Sequence, residues 1–279
     1  PLFVAIFYGE SLIRVFALGM SILVLIGFLS WFFTKDNKQE LSLSDGFVIT
    51  VLFWIVLSVS GSIPFILFGF GVVDSFFESM SGITTTGATV IAGLDDLPKS
   101  LLIYRQLLQW LGGMGLIVLA IAVMPLLGIG GGQLFKTQTP GPMSEQRLTP
   151  RITSTARALW SIYFVLTVLC IFAYRLAGMS YFDAVSHAFS TVSIGGFSTH
   201  DLSIGFFDSL SIEIVCITFM LLSAMSFAVH YSAIYRKQIL KYFYDPELRF
   251  FVSLLIVILG LVCLSLSVSY THLRAHETA

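Results

Sequence analysis

Two stretches of the sequence decide the fold: DSFFESMSGITTTGATVI at residues 74–91 and DAVSHAFSTVSIGGFSTH at residues 183–200. When the first stretch is shifted by 109 positions onto the second, Asp74 meets Asp183 and Gly87 meets Gly196. The apolar segments on either side keep the same register. A repeat at a fixed period indicates a duplicated structural unit. We therefore expect two copies of one unit, each a membrane span, a short helix with its loop, and a second span.

The composition is that of a membrane protein. Hydrophobic residues make up 56% of the 279 residues and charged residues only 11%, with a mean hydropathy of +0.91. A soluble domain carries roughly 25% charged residues. The net charge of −1 creates no field that would attract nucleic acid, so no nucleic-acid partner is expected. Membrane lipid is the expected surrounding.

Six long segments contain no Asp, Glu, Lys or Arg. Crossing the hydrocarbon core takes roughly 20 mostly apolar residues in a helix. The amphipathic period of a soluble helical bundle is missing from these segments. The sequence therefore predicts an all-α membrane protein with six spans, at Val15–Thr34, Phe47–Phe68, Leu107–Leu127, Ala158–Tyr174, Ile214–Val229 and Phe250–Leu273.

The loops alternate in charge. Lys and Arg concentrate at residues 35–40, 136–157 and 236–249, whereas the loops between them contain mainly Asp and Glu. By the positive-inside rule the basic loops are cytoplasmic. The basic loop that ends at residue 157 fits two interpretations. It is either a contact surface for a cytosolic partner or a solvated loop that simply satisfies the topology rule.

Each of the two stretches starts like a short helix. Asp74 and Asp183 are good N-cap residues, and the ten or so residues that follow would rise about 15 Å, roughly half of a membrane. The next residues, Thr84–Thr89 in the first copy, are β-branched and contain a glycine, so they should leave the helix. Backbone without hydrogen bonds persists at membrane depth only where it is buried in protein or lines a water-filled path.

Such a segment suits a cation. Carbonyl oxygens turned to an axis can replace the hydration shell of an ion, and Gly87 and Gly196 allow the required backbone angles. The C-terminal end of each short helix and the acidic residues near it add negative potential. The alternative is a Thr/Ser/Gly-rich extracellular loop without function, but the repeat at 109 residues favours the ion path.

Three strings resemble the TrkH/KtrB family of bacterial potassium-uptake proteins: FFESMSGITTTGATVI (76–91), YRQLLQWLGGMGLIVLAIAVMPLLGIGG (104–131) and AFSTVSIGGFSTHDLSIGFFDS (188–209). The resemblance covers Gly9 to Ser265. It implies four span–pore helix–span repeats around one pore, each with a filter strand that has a central glycine. Carried over to this sequence, it implies that potassium binds to backbone carbonyls of Thr85, Thr86, Gly87, Ile194, Gly195 and Gly196.

The resemblance also implies a location and partners. It implies a multi-pass protein of the bacterial inner membrane that takes up K⁺ as the transported ion and holds no bound cofactor in this chain. It further implies a homodimer and a cytosolic nucleotide-binding regulatory subunit, similar to TrkA. In the plant relatives of the family, a serine at the first filter glycine is associated with sodium transport. Gly87 thus favours potassium, with a sodium or mixed monovalent cation transporter as the alternative.

The register divides the chain into segments. We expect an N-terminal transmembrane helix in 1–40, a first pore repeat in 41–130, a cytosolic loop in 131–157 and a second pore repeat in 158–236. A cytosolic loop and the first span of a third repeat would occupy 237–268. Two repeats specify half a pore, so the chain is not expected to conduct alone. It starts at Pro1 without a Met and turns polar in mid-span at 269–279, so we expect a lost beginning and a non-native tail.

Other residues allow different interpretations. An intramembrane serine hydrolase would use Ser180 after Gly178-Met179, with His187, His200 or His230, but His187 matches Glu78 and so suits a pore helix. The stretch Gly112-Gly113-Met114-Gly115 lacks the preceding strand and Lys of a nucleotide loop and favours close helix packing. No enzyme is therefore expected. Arg105 and Arg175 flank spans and are expected to snorkel to the interface.

Overall fold

The computed structural model describes residues 1–35, 43–123, 148–235, 237–238 and 240–277. All regular elements of this part are helices, which confirms the predicted all-α class. The chain divides into two compact units, Pro1–Ala224 and Met225–Ala279.

The first unit alternates long and short helices in the described residues. They are α1 (Leu2–Tyr8), α2 (Ile13–Thr34), α3 (Leu43–Phe68), α4 (Val72–Ile83), α5 (Lys99–Val123), α6 (Leu148–Leu176), α7 (Tyr181–Val192) and α8 (Leu210–Ala224), with 3₁₀ turns at Leu94–Asp96 and Ser203–Phe207. The short helices α4 and α7 have 12 residues each. Their first and last residues both differ by 109 positions, as the sequence register predicts.

The two copies also end their first long helix in the same way. Gly69 (φ 119°) follows α3 and Gly178 (φ 108°) follows α6, and both have the positive φ that glycine adopts at little cost. The amide of the next residue then bonds back to the helix: Phe70 N to Phe65 O at 3.2 Å, and Met179 N to Tyr174 O at 3.1 Å. This closure turns the chain sharply into the short helix that follows.

The short helices lie inside the first unit. α4 packs against α3 and α5, and α7 packs against α6 and also against α5. The α5 helix is therefore the element shared by both copies. Its start is capped by Glu10, whose carboxylate accepts hydrogen bonds from the Lys99 amide (2.8 Å) and the Ser100 amide (3.1 Å).

The second unit contains α9 (Phe227–Tyr235), α10 (Lys241–Tyr244) and α11 (Pro246–Glu277). Within it, the His230 ring bonds through Nδ1 to the Tyr242 hydroxyl at 2.7 Å. The Arg249 Nε donates to the Phe243 carbonyl at 2.7 Å. The prediction that residues 269–279 are non-native stays a prediction.

Four helices of the described part are long and apolar enough to cross a membrane, at Ile13–Thr34, Val48–Phe68, Ala156–Leu176 and Pro246–Ser265. They match four of the six predicted spans. Their outer faces expose apolar side chains, such as Phe33 with 80% of its surface accessible. A hydrocarbon surrounding would cover such faces.

Three predicted boundaries differ from the structure. The predicted span Ile214–Val229 is interrupted, because α8 ends at Ala224 and α9 begins at Phe227, and the two helices together are apolar enough for a broken span. The predicted span Leu107–Leu127 belongs to α5, which already begins at Lys99, and residues 124–127 lie outside the described part. The predicted loop 131–157 ends too late, because α6 starts at Leu148. Pro150 does not prevent this start, since proline is tolerated in the first turn of a helix.

Candidate functional site

The two short helices begin one turn before the predicted residues. The N-cap of α7 is Ser180, whose hydroxyl accepts from the Asp183 amide (3.1 Å) and donates to the Asp183 carboxylate (2.7 Å). The N-cap of α4 is Gly71. The prediction of Asp74 and Asp183 as N-caps is therefore wrong: both are the third helical residue. In α7 this acidic residue completes a reciprocal cap with Ser180, and in both helices it lies in the first turn, near the positive end of the helix.

The chain leaves both helices with the same backbone conformation. Thr84 (φ −81°, ψ 2°) and Ser193 (φ −81°, ψ −7°) end the helices. The next residues, Thr85 and Ile194, both have φ 55°. An amide one residue further on bonds back into the helix in each copy: Thr86 N to Ser81 O at 2.9 Å, and Gly195 N to Ser190 O at 2.8 Å.

Positive φ recurs two residues later. Gly87 has φ 78° and Gly196 has φ 84°, as their predicted role requires. Thr85 and Ile194 are β-branched, and such a residue with φ above zero is a genuine outlier. Strain of this kind costs on the order of 1–3 kcal/mol and persists only where the surroundings hold it. This alternation of positive and negative φ occurs in both copies.

The two segments, defined as residues 84–89 and 193–198, touch through their backbones. A Cβ atom on Gly87 would lie 3.1 Å from the Gly195 carbonyl carbon and closer than 3.0 Å to its oxygen. No atom of the described residues lies within 4 Å of the corresponding point on Gly196. Position 87 therefore needs a glycine because its φ is positive and because a side chain would overlap the Gly195 backbone. Position 196 needs a glycine because its φ is positive.

The carbonyl oxygens of the six predicted site residues differ in their partners. The Gly195 oxygen accepts a hydrogen bond from Gln109 Nε2 at 2.7 Å. Within the described part of the chain, the other five, those of Thr85, Thr86, Gly87, Ile194 and Gly196, accept none. Three of these five residues are exposed and two are half-buried, so their oxygens are accessible to water or to a ligand.

A buried ion pair lies behind the segments. Arg105 Nε is 2.7 Å from Glu78 Oε1, and both side chains are fully buried. The prediction that Arg105 snorkels to the interface is wrong, because a buried carboxylate pairs with it in the interior and a buried charge needs such a partner. Arg105 also donates to the Thr89 hydroxyl (3.0 Å) and the Ser198 carbonyl (3.2 Å). These two residues are 109 positions apart, so one guanidinium bonds the same position in both copies.

His187 takes in α7 the place that Glu78 has in α4. It is buried, and its ring nitrogens bond to the Ser198 hydroxyl and the Asp183 carbonyl, both at 3.0 Å. Glu78 in turn accepts from the Thr89 hydroxyl at 2.9 Å. Residues 89 and 198 are equivalent. In each copy, a side chain of the short helix is therefore hydrogen-bonded to the last residue of the segment.

Acidic residues cluster beyond the segments. His200 bonds through Nδ1 to Asp95, and this bond holds the pKa of the Asp95 carboxyl below its ordinary range. Asp201 accepts from the amides of Gly93 (3.1 Å) and Leu94 (3.0 Å). These contacts join the loops that follow the two segments. Among the described side chains, no group of three His, Cys, Asp or Glu residues could hold a metal ion.

The model of one protein family, described as "TrkH: Cation transport protein", matches residues 12–273. The chain belongs to the TrkH family.

Curated TrkH-family relatives match nearly the whole chain. The "Trk system potassium uptake protein TrkH" of Halomonas elongata is 48% identical over 281 residues, covering 100% of this chain and 58% of the relative. The protein of that name from Vibrio parahaemolyticus is 50% identical over 268 residues, covering 94% and 55%. That from Escherichia coli is 46% identical, covering 94% and 56%. The chain thus spans a little over half the length of these relatives.

A solved TrkH-family structure has the same fold. The crystal structure of the potassium transporter TrkH from Vibrio parahaemolyticus matches with a TM-score of 0.82 at 48% identity, over 94% of this chain and 53% of that chain. With the apolar helices, this identifies a multi-pass helical membrane protein.

TrkH-family members are ion transporters and not enzymes, so the hydrolase alternative is wrong for this chain. The geometry agrees, because the Ser180 hydroxyl forms its hydrogen bonds with the Asp183 carboxylate and amide and caps α7. Gly112 and Gly113 pack closely, as predicted, whereas among the described residues Gly115 does not. A Cβ atom on Gly112 would lie 2.9 Å from the Ile83 Cα, so α5 lies directly against the end of α4.

Sequence reasoning missed the buried polar residues of α5. Gln109 and Arg105 reach the second segment, but neither was predicted as a site residue. A signal was present, because polar residues inside an apolar span usually face the protein interior and serve a function there.

Proposed function

We propose that this TrkH-family chain supplies two of the carbonyl-lined segments of a potassium-uptake pore in the bacterial inner membrane. The observation that carries this proposal is the paired geometry of segments 84–89 and 193–198. Each places a β-branched residue at φ 55° and a glycine near φ 80°, and together they leave five carbonyl oxygens unpaired. Rows of such carbonyls replace the hydration shell of K⁺.

The ligands of this site are backbone atoms of Thr85, Thr86, Gly87, Ile194 and Gly196. Gly195 belongs to the same segment but has its oxygen bonded to Gln109. The transported ion is K⁺, and relatives 46–50% identical carry the name potassium uptake protein. No bound cofactor is part of the proposal.

The electrostatics support a cation. The C-terminal ends of α4 and α7 point their partial negative charge toward the first residues of each segment. The fully buried Arg105 would oppose a cation if it were alone, but Glu78 neutralises it at 2.7 Å. The acidic residues Asp95, Asp183 and Asp201 lie on the outer side and raise the local concentration of cations.

Two segments surround an ion only in part, so the proposal requires further segments. The relatives are nearly twice as long as this chain, which leaves room for two more. We propose that the complete protein is a homodimer with a cytosolic nucleotide-binding subunit, and that the basic loops are cytoplasmic. The word "system" in the relatives' names supports a complex of several components.

The test is ion flux through the full-length gene product that contains this chain. The protein is reconstituted in lipid vesicles, and the uptake of K⁺ and Na⁺ is measured separately. We expect K⁺ flux to exceed Na⁺ flux, and residues 1–279 alone to transport neither. Equal flux of both ions would contradict potassium selectivity, and transport by residues 1–279 alone would contradict the need for further segments.

A further inference from the structure

One buried side chain of the first copy forms hydrogen bonds with the second segment on both sides of Gly196. Gln109, on α5, is fully buried. Its Nε2 donates to the Gly195 carbonyl at 2.7 Å, and its Oε1 accepts from the Phe197 amide at 3.1 Å and from the Ser190 hydroxyl at 2.9 Å. All polar atoms of this side-chain amide therefore contact residues of the second copy.

The orientation of the amide follows from the chemistry of its neighbours. The Phe197 N–H can only donate, so the atom that faces it is the oxygen of Gln109. The nitrogen then faces the Gly195 carbonyl, which can only accept. The two bonds are consistent with each other in one orientation and impossible in the other.

These bonds fix the conformation of Gly196. The Gly195 oxygen belongs to the peptide plane before Gly196, and the Phe197 nitrogen belongs to the plane after it. The Gln109 amide is hydrogen-bonded to both peptide planes, an arrangement that we call the amide clamp. It therefore sets φ and ψ of Gly196, whose φ is 84°. Gly195 itself must be small, because a Cβ atom there would lie 2.7 Å from Gln109 Nε2.

The first segment is held differently. Ser81, the equivalent of Ser190, donates to the Ala88 carbonyl at 2.6 Å, within its own copy. The position in α8 that corresponds to Gln109 is Thr218, whose hydroxyl bonds to the Ile214 carbonyl of its own helix at 2.7 Å. In the described part of the chain, the amide clamp therefore acts on the second segment and comes from α5.

We propose that Gln109 is a positioning residue that sets the direction of the Gly196 carbonyl, and with it the preference for K⁺ over Na⁺. The inference rests on the proposed function of the two segments. A carbonyl that replaces water around an ion must hold its direction, and a clamp made by a buried amide holds it without touching the ion.

The experiment compares two buried glutamines of α5 in the full-length gene product. Gln109→Met removes the clamp at similar side-chain length. Gln106→Met is the matched control: Gln106 is equally buried, but its amide, oriented to satisfy its neighbours, bonds to Leu102 O (3.1 Å) and Thr199 N (3.2 Å). Both variants lose buried hydrogen bonds, so both should lower thermal stability by similar amounts.

The measurement is the ratio of K⁺ to Na⁺ flux in vesicles, together with the yield of folded protein. We expect Gln109→Met to lower the ratio by roughly tenfold, about the effect of one lost buried hydrogen bond, and Gln106→Met to keep it. An unchanged ratio in Gln109→Met at normal yield would overturn the inference, and so would an equal fall in both variants.

A second variant covers the case in which Gln109→Met does not fold. Ser190→Ala removes only one hydroxyl bond to the Gln109 amide, and a smaller fall of the ratio supports the clamp, whereas an unchanged ratio overturns it. Gly87→Ser, measured in parallel, distinguishes a failure of the Gln109 inference from a failure of the proposed function of the segments. If Gly87→Ser shifts the ratio and the Gln109 and Ser190 variants do not, the clamp is wrong while the function stands. If Gly87→Ser also leaves it unchanged, the function itself fails.

Discussion

The Cα of Gly87 lies against the carbonyl group of Gly195, so close that a Cβ on Gly87 would be 3.1 Å from the carbonyl carbon and nearer still to the oxygen. The two residues are in different copies of the repeat. A substitution at Gly87 therefore acts on both segments at once, because any side chain there must move the backbone of the other.

The first prediction concerns this contact. Gly87→Ser should lower the ratio of K⁺ to Na⁺ flux, since it forces the Gly195 carbonyl to shift and places Cβ at φ 78°. The yield should also fall, because the Cβ overlaps the Gly195 backbone in addition to the strain of about 1–3 kcal/mol, so the ratio is measured on the folded fraction. Gly196→Ser should act in the same direction but less, because the space beside it is open among the described residues.

The control for both variants is Gly9→Ser. Gly9 has φ 66° and, among the described residues, open space at its Cβ position, so the substitution carries similar backbone strain outside the two segments. The flux ratio of Gly9→Ser should equal that of the wild type. If the folded fractions of Gly87→Ser and Gly196→Ser keep the wild-type ratio, the two segments are not the selectivity filter.

The second prediction concerns the buried pair of Glu78 and Arg105. Glu78→Gln and Arg105→Met should each destabilise the protein by about 3–5 kcal/mol, because each leaves the other charge buried without its partner. The double variant should be more stable than the sum of the two single losses predicts. Thermal unfolding in detergent measures the three variants as a double-mutant cycle. Additive losses would show that the two charges do not depend on each other.

The third prediction separates packing from selectivity. Gly112→Ala should reduce the yield of assembled protein, because its Cβ would lie 2.9 Å from the Ile83 Cα at the end of α4. Gly115→Ala is the control, since among the described residues the nearest atom to its Cβ is 4.0 Å away on Phe53. Solubilised yield is the measurement. A normal yield for Gly112→Ala would mean that α5 and α4 can separate without cost.

The fourth prediction is a pH dependence. The hydrogen bond from His200 lowers the pKa of Asp95 below its ordinary value of 3.8, so the ionised carboxylate stabilises the folded protein at neutral pH. This contribution is present above pH 4 and is lost as the pH falls through the lowered pKa. Asp95→Asn should therefore unfold at a lower temperature than the wild type at pH 7. The difference should shrink as the pH is lowered below 4, and a difference independent of pH would contradict it.

The fifth prediction concerns orientation. In a background without Cys170, Cys216 and Cys263, single cysteines are placed at Asp95 and at Gln146, the latter outside the described residues. By the positive-inside rule, an impermeant thiol reagent on intact cells should label the cysteine at 95 and reach the one at 146 only after permeabilisation. The reverse pattern would invert the topology.

Much of the fold follows from the sequence, since the 109-residue register alone locates α4 and α7 and pairs Gly87 with Gly196. Other features of the site depend on contacts between residues that are distant in the sequence, which a local sequence pattern does not show. Thr85 and Ile194 are β-branched, and such residues do not predict a positive φ. Arg105 is interior because Glu78 pairs with it across 27 positions of sequence. The break between α8 and α9 contains neither proline nor glycine. A search of the sequence for long apolar segments therefore does not detect it.

The position of Gln109 and Arg105 on α5 has a consequence for assembly in the membrane. A polypeptide is synthesised from its N-terminus, and its N-terminal parts fold first. When residues 193–198 emerge from the ribosome, the helix that binds their carbonyls has already been made. The earlier copy can thus act as a template onto which the later copy is fitted, which gives a duplicated protein a direction of assembly that its symmetry alone would not have.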